Sequence, residues 1–344
     1  MTELLRERTS AISRRPARLG FLGVGWIGRH RMQAILETGC AQAVAIADTS
    51  PKMIADAAIL VSDAVQVDSL DKLLCHDLDG VVIATPSAQH AAQSIKALSA
   101  GVAVFCQKPL GLTAPEVAAV VNVAKQADRL LGVDLSYRHT TGMCHIRDVI
   151  RSGELGDIFA ADVVFHNAYG PDKAWFYDKA LAGGGCLMDL GVHLVDMALW
   201  SFDFPEIADV SAHLMAGGQS VSADSPQTED YAVATLKLEN GAVLRLACSW
   251  RLQAGRDAVI EASFFGKSGG ISMRNVNGSF YDFTTKRYYG TSEVTLNEAP
   301  EEWGGRAAAD WARKLCAGMR YDPSCQHIIN VAKTLDRIYQ AAYP

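Results

Sequence analysis

Apolar residues in the first third of the chain fall in short runs, and stretches with helical spacing separate these runs. The strands predicted from the runs are residues 18–24, 43–47, 80–84, 102–106 and 131–135. The helices predicted between them are residues 27–38, 51–58, 89–99 and 114–129. Short buried strands that alternate with helices are typical of βαβ units. This part therefore predicts an α/β fold with a doubly wound parallel sheet.

After about residue 136 the pattern changes to alternating apolar and polar positions. Residues 158–167 alternate in the manner of a strand, and further runs with a period of two follow between residues 207 and 283. The Asn240-Gly241 step between two of these runs predicts a tight hairpin. Helical spacing returns at residues 140–152 and 326–342. This half predicts an α+β domain with a large, open and mostly antiparallel sheet.

The change of pattern, together with a length of 344 residues, predicts two domains rather than one. The predicted division is an N-terminal arm (1–17), a doubly wound α/β domain (18–136), an α+β domain (137–325) and a C-terminal helix (326–344). Apolar residues on the outer face of an open sheet would meet water unless another subunit covers them. We therefore expect a homodimer or homotetramer.

Composition narrows the classes of partner. Hydrophobic residues make up 49% and charged residues 20%, as in ordinary globular proteins. The net charge of -6, without any long run of Lys and Arg, argues against nucleic acid as a partner. No segment approaches the ~18 consecutive apolar residues of a membrane helix. The eight cysteines are scattered, which predicts reduced thiols and a cytoplasmic location.

An export signal is the alternative location to weigh. Ser13, Arg14 and Arg15 precede the apolar residues 19–24, an order similar to a twin-arginine signal. The same apolar residues are needed for the first strand of the predicted parallel sheet. Cleavage after them would remove that strand, so we favour the cytoplasmic interpretation.

A glycine motif lies between the first predicted strand and helix: Gly23-Val24-Gly25-Trp26-Ile27-Gly28, which matches G-x-G-x-x-G. In a dinucleotide site Gly23 permits the tight turn, Gly25 lets the pyrophosphate approach the backbone, and Gly28 lets the helix lie close to the sheet. Amides at the helix N-terminus then bind the anion. Trp26 and Ile27 belong to the same cofactor-binding turn.

Asp48 ends the second predicted strand, 20 residues after Gly28, where a carboxylate can bond both ribose hydroxyls of the adenosine. The alternative is that Asp48 only caps the turn at residues 48–51. A carboxylate here repels a 2′-phosphate, so NAD is the expected cofactor. NADP stays possible because Lys52 is near in sequence.

Three further segments are specific: Ala-Thr-Pro-Ser-Ala-Gln-His at 84–90, Cys-Gln-Lys-Pro-Leu at 106–110, and the glycine-rich segment 183–196 that contains Asp189 and His193. With the glycine motif, the chain resembles the glucose-fructose oxidoreductase and inositol dehydrogenase (Gfo/Idh/MocA) family of NAD(P)-dependent oxidoreductases. The resemblance implies that residues 18–136 are a Rossmann dinucleotide-binding domain and that residues 137–325 are a substrate-binding and oligomerisation domain. It implies that the cofactor is bound also by Thr85, Pro86, His90, Gln107 and Lys108.

The resemblance also implies that Lys108, Asp189 and His193 are catalytic and line the substrate pocket beside the nicotinamide. His193 is then the general base in oxidation, and Asp189 orients its ring. If a helix begins near Gly185, these two residues share one face, one turn apart. Lys108 stabilises the substrate oxygen as it becomes alkoxide-like, or alternatively shares the proton transfer.

Two departures from the family pattern change the expected pocket. Gln107 stands where Glu is usual, although its amide oxygen can still accept from a ribose hydroxyl. The segment Trp175-Phe176-Tyr177-Asp178 lacks the Arg that often follows this Trp, so the Tyr177 hydroxyl is a substitute donor. The further substrate-binding candidates are Tyr137, with Arg138 beside it, Asn167 and Trp175.

Other interpretations of the same residues stay open at this point. A Lys before Pro is often a solvated loop residue, and an Asp-x-x-x-His pair often lies on a surface helix. Asp189, His193 and His166 would also suit a divalent metal. We expect no metal, because NAD already supplies the electrophile.

The function predicted from these observations is hydride transfer between nicotinamide and a carbinol or carbonyl carbon of a sugar, polyol or inositol. One alternative is a dihydrodiol dehydrogenase, or a ketosugar or imine reductase working in the reducing direction. A second alternative is a regulator that senses NAD(P) without turnover, although the complete set Lys108, Asp189 and His193 argues against it.

Overall fold

The computed structural model describes residues 15–343, so most of the predicted arm and of the Ser13-Arg14-Arg15 step lies outside the described residues. The strands of the first sheet are β1 (Ala17–Leu22), β2 (Ala41–Ala47), β3 (Val65–Val67), β4 (Gly80–Ile83), β5 (Ala103–Cys106) and β6 (Leu131–Val133). The helices between them are α1 (Trp26–Leu36), α2 (Pro51–Ala58), α3 (Leu70–Leu74), α4 (His90–Ser99) and α5 (Ala114–Ala127).

All pairings within this sheet are parallel, and the strand order is β3-β2-β1-β4-β5-β6. Side-chain caps satisfy free amides at the start of some of these helices: the Ser50 side chain accepts from the α2 backbone, and Thr113 does so for α5. The predicted doubly wound Rossmann sheet is confirmed. Ligand sites in such sheets lie at the carboxyl ends of the strands, near the point where strand order reverses.

The second sheet is built from nine of the described strands. They are β7 (Ile158–Asn167), β8 (Ile207–Ala216), β9 (Gln219–Ser220), β10 (Tyr231–Leu238), β11 (Val243–Ser249), β12 (Ala258–Gly266), β13 (Gly269–Asn275), β14 (Phe283–Tyr289) and β15 (Ser292–Asn297). The pairing of β7 with β11 is parallel, and the other pairings are antiparallel. This confirms the predicted open, mostly antiparallel sheet.

The remaining α-helices follow β6 in the chain. They are α6 (Thr141–Arg151), α7 (Lys179–Ala182), α8 (Val192–Ser201), α9 (Arg306–Cys316) and α10 (Gln326–Ala342). The sequence-based division assigned α9 to the second domain, whereas the structure packs it on the parallel sheet. Its Trp311 ring lies 5.7 Å from the ring of Phe105 on β5. The chain therefore returns to the first sheet near its end.

One segment corrects the expectation that no part of the chain approaches the apolar length of a membrane helix. The stretch Lys179–Ser201 is long and apolar enough, by length and composition only, to cross a membrane, and 78% of its apolar window is buried inside the protein. Bends at 183–185 divide its helical residues. The stretch ends in α8, whose residues form part of the core between the second sheet and α10. Its apolar character is that of a core helix packed on all sides.

Candidate active site

A cleft of about 670 Å³ opens at the carboxyl edge of the parallel sheet. One wall consists of the glycine turn and the segments that follow β4, β5 and β6. The other wall consists of the segments before α8 and of α8 itself. The cleft thus lies between the two sheets, at the position that a doubly wound fold offers to a ligand.

The glycine turn has the shape that a dinucleotide requires. Gly23 adopts a positive φ of 80°, and a Cβ there would lie 2.5 Å from the Ala84 carbonyl oxygen. At Gly28 a Cβ would lie 2.0 Å from the Gly23 carbonyl oxygen, so only glycine lets α1 approach so closely. A Cβ at Gly25 would meet nothing within 4 Å, and Gly25 lines the cleft. An open backbone at the start of a helix fits a pyrophosphate.

Asp48 holds this turn from the end of β2. Its Oδ2 accepts from the Val24 amide at 2.9 Å, and its Oδ1 accepts from the Ser50 amide at 2.8 Å. Asp48 therefore caps its own turn and also joins that turn to the glycine motif. Beside it, the Arg29 side chain lines the cleft and donates to Asp56 at 3.2 Å. Sequence reasoning missed Arg29, because only the fold brings it next to α2.

The predicted cofactor residues after β1, β4 and β5 lie together in the cleft wall: Trp26, Ile27, Thr85, Pro86, His90, Gln107 and Lys108. His90 connects the two segments, since its ring nitrogens lie 2.7 Å from the carbonyl oxygens of Thr85 and Pro109. Burial lowers the pKa of His90, and the two carbonyl groups oppose that shift. The ring therefore fixes the shape of the wall.

Lys108 forms an ion pair across the cleft. Its Nζ donates to Asp189 Oδ1 at 2.6 Å and to the Asp189 carbonyl oxygen at 2.7 Å. The other carboxylate oxygen accepts from the indole of Trp250 at 3.1 Å. Asp189 lies in a π turn, Leu187–Gly191, that precedes α8, and such turns are frequent at functional sites.

The structure does not bring the Asp189 carboxylate to the His193 ring. Although the two residues are four apart on one helical segment, the Asp189 carboxylate is occupied by an ammonium group and an indole N–H. These donors lie on other elements and could not be seen from the helical spacing. In this structure the Asp189 carboxylate holds the Lys108 ammonium group, and no hydrogen bond joins it to the imidazole ring.

His193 lies on α8 in the cleft wall and is only 8% exposed. Within residues 15–343 its ring has no hydrogen-bond partner, and it packs edge-on against the Tyr137 ring at 5.0 Å. Burial lowers the pKa of His193 well below its usual range, and the charges of Lys108 and Arg31 lower it further. The ring is therefore neutral at neutral pH, with a nitrogen lone pair available to a ligand.

The glycine run before α8 is explained by close approach. A Cβ at Gly184 would lie 1.9 Å from the Tyr339 hydroxyl, and one at Gly185 would lie 1.9 Å from the Glu229 carbonyl oxygen. The buried Glu229 carboxylate accepts from the amides of Gly185 at 2.8 Å and Leu187 at 3.0 Å. Tyr339 of α10 donates to the same carboxylate oxygen at 2.8 Å. This cap fixes the start of the segment that carries Asp189.

Several predicted substrate residues lie outside the cleft lining. The Tyr177 hydroxyl already donates to the Pro171 carbonyl oxygen at 2.9 Å, and Asn167 accepts from the Tyr169 amide at 2.7 Å. Tyr137 is buried in the core, where it packs under His193. Of these candidates Trp175 lines the cleft, together with its stacked neighbour Phe176.

Arg138 and His166 also find partners away from the cleft. Arg138 forms a bidentate ion pair with the buried Asp196, and the ring of His166 bonds Ser249 at 2.8 Å and stacks on Tyr231. The structure thus does not bring His166 to Asp189. Among the described residues no group of three or more His, Cys, Asp and Glu side chains is placed to hold a metal.

Curated relatives cover different shares of the chain. D-glucoside 3-dehydrogenase of Escherichia coli (strain K12) is 29% identical over 58% of this chain and 60% of its own length. 1,5-anhydro-D-fructose reductase of Ensifer adhaerens is 25% identical over 88% of this chain and 94% of its own. Inositol 2-dehydrogenase of Rhizobium meliloti (strain 1021) is 28% identical over 75% and 76%.

Solved structures share the whole architecture. Levoglucosan dehydrogenase in complex with NADH superposes with a TM-score of 0.81 at 22% identity, covering 95% of this chain and 97% of that one. GenD2 from gentamicin A biosynthesis, in complex with NAD, gives a TM-score of 0.79 at 22% identity, over 95% and 94% of the two chains. At this identity the likeness establishes the fold.

Family models match both halves of the chain. Residues 17–135 match the oxidoreductase family with an NAD-binding Rossmann fold, and residues 143–272 match the GFO/IDH/MocA C-terminal domain. These matches, in the order of the two sheets, confirm the resemblance found in the sequence motifs. The chain belongs to the GFO/IDH/MocA family and is an NAD(P)-dependent oxidoreductase.

Proposed function

We propose that this enzyme oxidises a secondary alcohol carbon of a sugar, polyol or inositol, or reduces the corresponding ketone. One observation carries the proposal: an ammonium group and a neutral imidazole, Lys108 and His193, face the same cleft as an open glycine turn. The names of these relatives fit this substrate class, since they refer to a glucoside, an anhydrofructose and an inositol.

In this mechanism the nicotinamide, when bound, supplies the hydride acceptor or donor. Lys108 donates to the substrate oxygen and stabilises it as it becomes alkoxide-like, because Asp189 holds its ammonium group in place. His193 accepts the hydroxyl proton during oxidation and returns it during reduction. Its lowered pKa keeps it unprotonated, and therefore competent as a base, at neutral pH.

The rest of the cleft suits a polyhydroxylated substrate. Trp175 and Phe176 stack with their centroids 3.8 Å apart in the wall, and Asp172 and Lys173 lie beside them. Aromatic faces pack on the C–H surfaces of a sugar ring, and the charged groups bond its hydroxyls. In this proposal these residues take the place of Tyr177, Tyr137 and Asn167 as substrate contacts.

The test is a panel of sugars, polyols and inositols assayed with NAD and with NADP by the appearance of the reduced cofactor. We expect turnover with at least one member and a higher melting temperature when that member and NAD are both present. His193→Ala should abolish the turnover and keep the cofactor-induced rise in melting temperature. A rise with cofactor, but no turnover of any member in either direction, would favour the regulator over the dehydrogenase.

We also propose a cytoplasmic homodimer or homotetramer that uses the outer face of the second sheet and needs neither nucleic acid nor membrane. That face carries apolar side chains in register across three strands, with Val243 and Phe265 both opposite Ala160 of β7. Ion pairs such as Asp162 with Arg245 surround them. A mixed patch of this kind is typical of subunit interfaces.

A further inference from the structure

Three side chains from separate elements meet in the cleft wall beside Lys108. Arg31 comes from α1, Gln107 directly follows β5, and Asp134 directly follows β6. Arg31 Nε and Gln107 Nε2 both donate to Asp134 Oδ2, each at 2.6 Å. All three residues line the cleft beside Lys108, although Asp134 is only 1% exposed. The mechanism above uses none of these contacts.

The contact with Asp134 determines whether the NH₂ group or the oxygen of the Gln107 amide is available to a ligand in the cleft. A free glutamine can turn either its NH₂ group or its oxygen toward a ligand. Here the nitrogen is committed to a carboxylate, which accepts and never donates. The amide oxygen has no hydrogen-bond partner among residues 15–343. Gln107 therefore offers an acceptor, as a glutamate would.

Charge explains why position 107 is a glutamine in this chain. The buried Asp134 carboxylate is neutralised by Arg31, whose Nη1 also contacts His30 at 2.8 Å. A glutamate at position 107 would place a second carboxylate against the first, and two such groups cannot both ionise cheaply. With a neutral amide at position 107, the single carboxylate of Asp134 balances the charge of the single guanidinium group of Arg31.

We propose that Asp134, held by Arg31, is a positioning residue that orients Gln107 so that its amide oxygen accepts a hydrogen bond from a hydroxyl of the nicotinamide ribose. The proposal rests on the proposed function, because it places the nicotinamide beside Lys108. The other oxygen of Asp134 is buried without a hydrogen-bond partner in the described chain. The carboxylate thus has capacity to hold both donors when the cleft is filled.

The experiment measures the Kd of NADH by fluorescence titration, without substrate, at a temperature where each variant is folded. Asp134→Ala frees the amide to rotate, and we expect Kd to rise by roughly three- to tenfold, the scale of one hydrogen bond. Gln107→Glu should weaken binding similarly through repulsion with Asp134. The double variant should regain nearly the original Kd, because glutamate pairs with Arg31 and presents an acceptor whichever way it turns.

The matched control is Asp196→Ala, which removes a buried carboxylate from another ion pair, with Arg138, outside the cleft lining. It should lower thermal stability and leave the Kd of NADH unchanged. If Asp134 is only structural, Asp134→Ala will behave like this control, which overturns the proposal. A double variant that folds without regaining affinity overturns it as well, and so does a change confined to the KM of the substrate.

Failure of the proposed function gives a different result. If the unmodified chain binds NADH but turns over no member of the sugar panel, the substrate assignment fails while the Kd comparison still applies. Should Asp134→Ala fail to fold, Gln107→Glu and the double variant decide alone. The single variant must then bind NADH more weakly than the double.

Discussion

Replacing Lys108 with Met tests the catalytic role of its charge and its effect on His193 together. Methionine keeps the length of the stem but removes the ammonium group that lies 2.6 Å from Asp189 Oδ1. We expect kcat to fall by roughly two or more decades, the usual scale for losing an oxyanion-stabilising or proton-transferring group. The Kd of NADH should change much less than kcat.

The same variant should also shift the pH profile. His193 must be neutral to accept a proton, so oxidation is lost as pH falls through its folded pKa. Burial is the largest cause that lowers this pKa from 6.5, and the charges of Lys108 and Arg31 follow. Removing Lys108 therefore moves the acidic limb upward. The limb should stay below pH 6.5, because burial and Arg31 still act.

The assay is kcat/KM for oxidation across about pH 5 to 9, which reports the pKa of the free enzyme. Lys267→Met is the control, since Lys267 forms an exposed ion pair with Asp157 at 2.8 Å far along the second sheet. It should change neither rate nor profile. A limb that stays in place or moves downward in Lys108→Met, or turnover within a few fold of the original, would refute the reasoning.

Further predictions concern the cofactor, the glycine run and the assembly. Asp48→Ser combined with Asp56→Asn removes two carboxylates and frees the Arg29 side chain, so the ratio of kcat/KM for NADP to that for NAD should rise at least tenfold. An unchanged ratio would contradict the assignment of Asp48. Gly185→Ala should lower the free energy of unfolding, measured by chemical denaturation, by about 1–3 kcal/mol or more. The control Gly270→Ala, whose Cβ would have its nearest contact at 3.4 Å, should lower it less. Light scattering at micromolar concentration should give the mass of a dimer or tetramer, and a monomeric mass would exclude the proposed interface.

Periodicity predicted both sheets because most of their strands are either fully apolar or strictly alternating. The segment at 59–79 gave no such signal, and the structure places β3 and α3 there. Strand β3 has three residues at the sheet edge, two of them exposed, so no apolar run marks it. The return of α9 to the first sheet was also missed, since a helical pattern does not say which sheet its apolar face covers.

Motif spacing identified the residues of the site better than their partners. Lys108 and Asp189 were both predicted, yet their contact joins positions 81 residues apart. The prediction paired Asp189 with His193 because helical neighbours are the only contacts that spacing reveals. Trp250 and Glu229 were missed for the same reason: each reaches the segment before α8 from a loop beside a strand of the second sheet, and neither belongs to a recognisable motif.

The substitution at Gln107 shows how such long-range partners change the meaning of a motif. Considered alone, glutamine for glutamate loses a charge and adds a donor that a ribose hydroxyl does not need. In the fold the Gln107 Nε2 group donates to Asp134. The negative charge lies on the Asp134 carboxylate, where Arg31 balances it. The acceptor that a ligand meets is thereby retained at position 107. The residue types at positions 107 and 134 must therefore be considered together. If both were carboxylates, one of them would lack a cationic partner in the buried cleft wall.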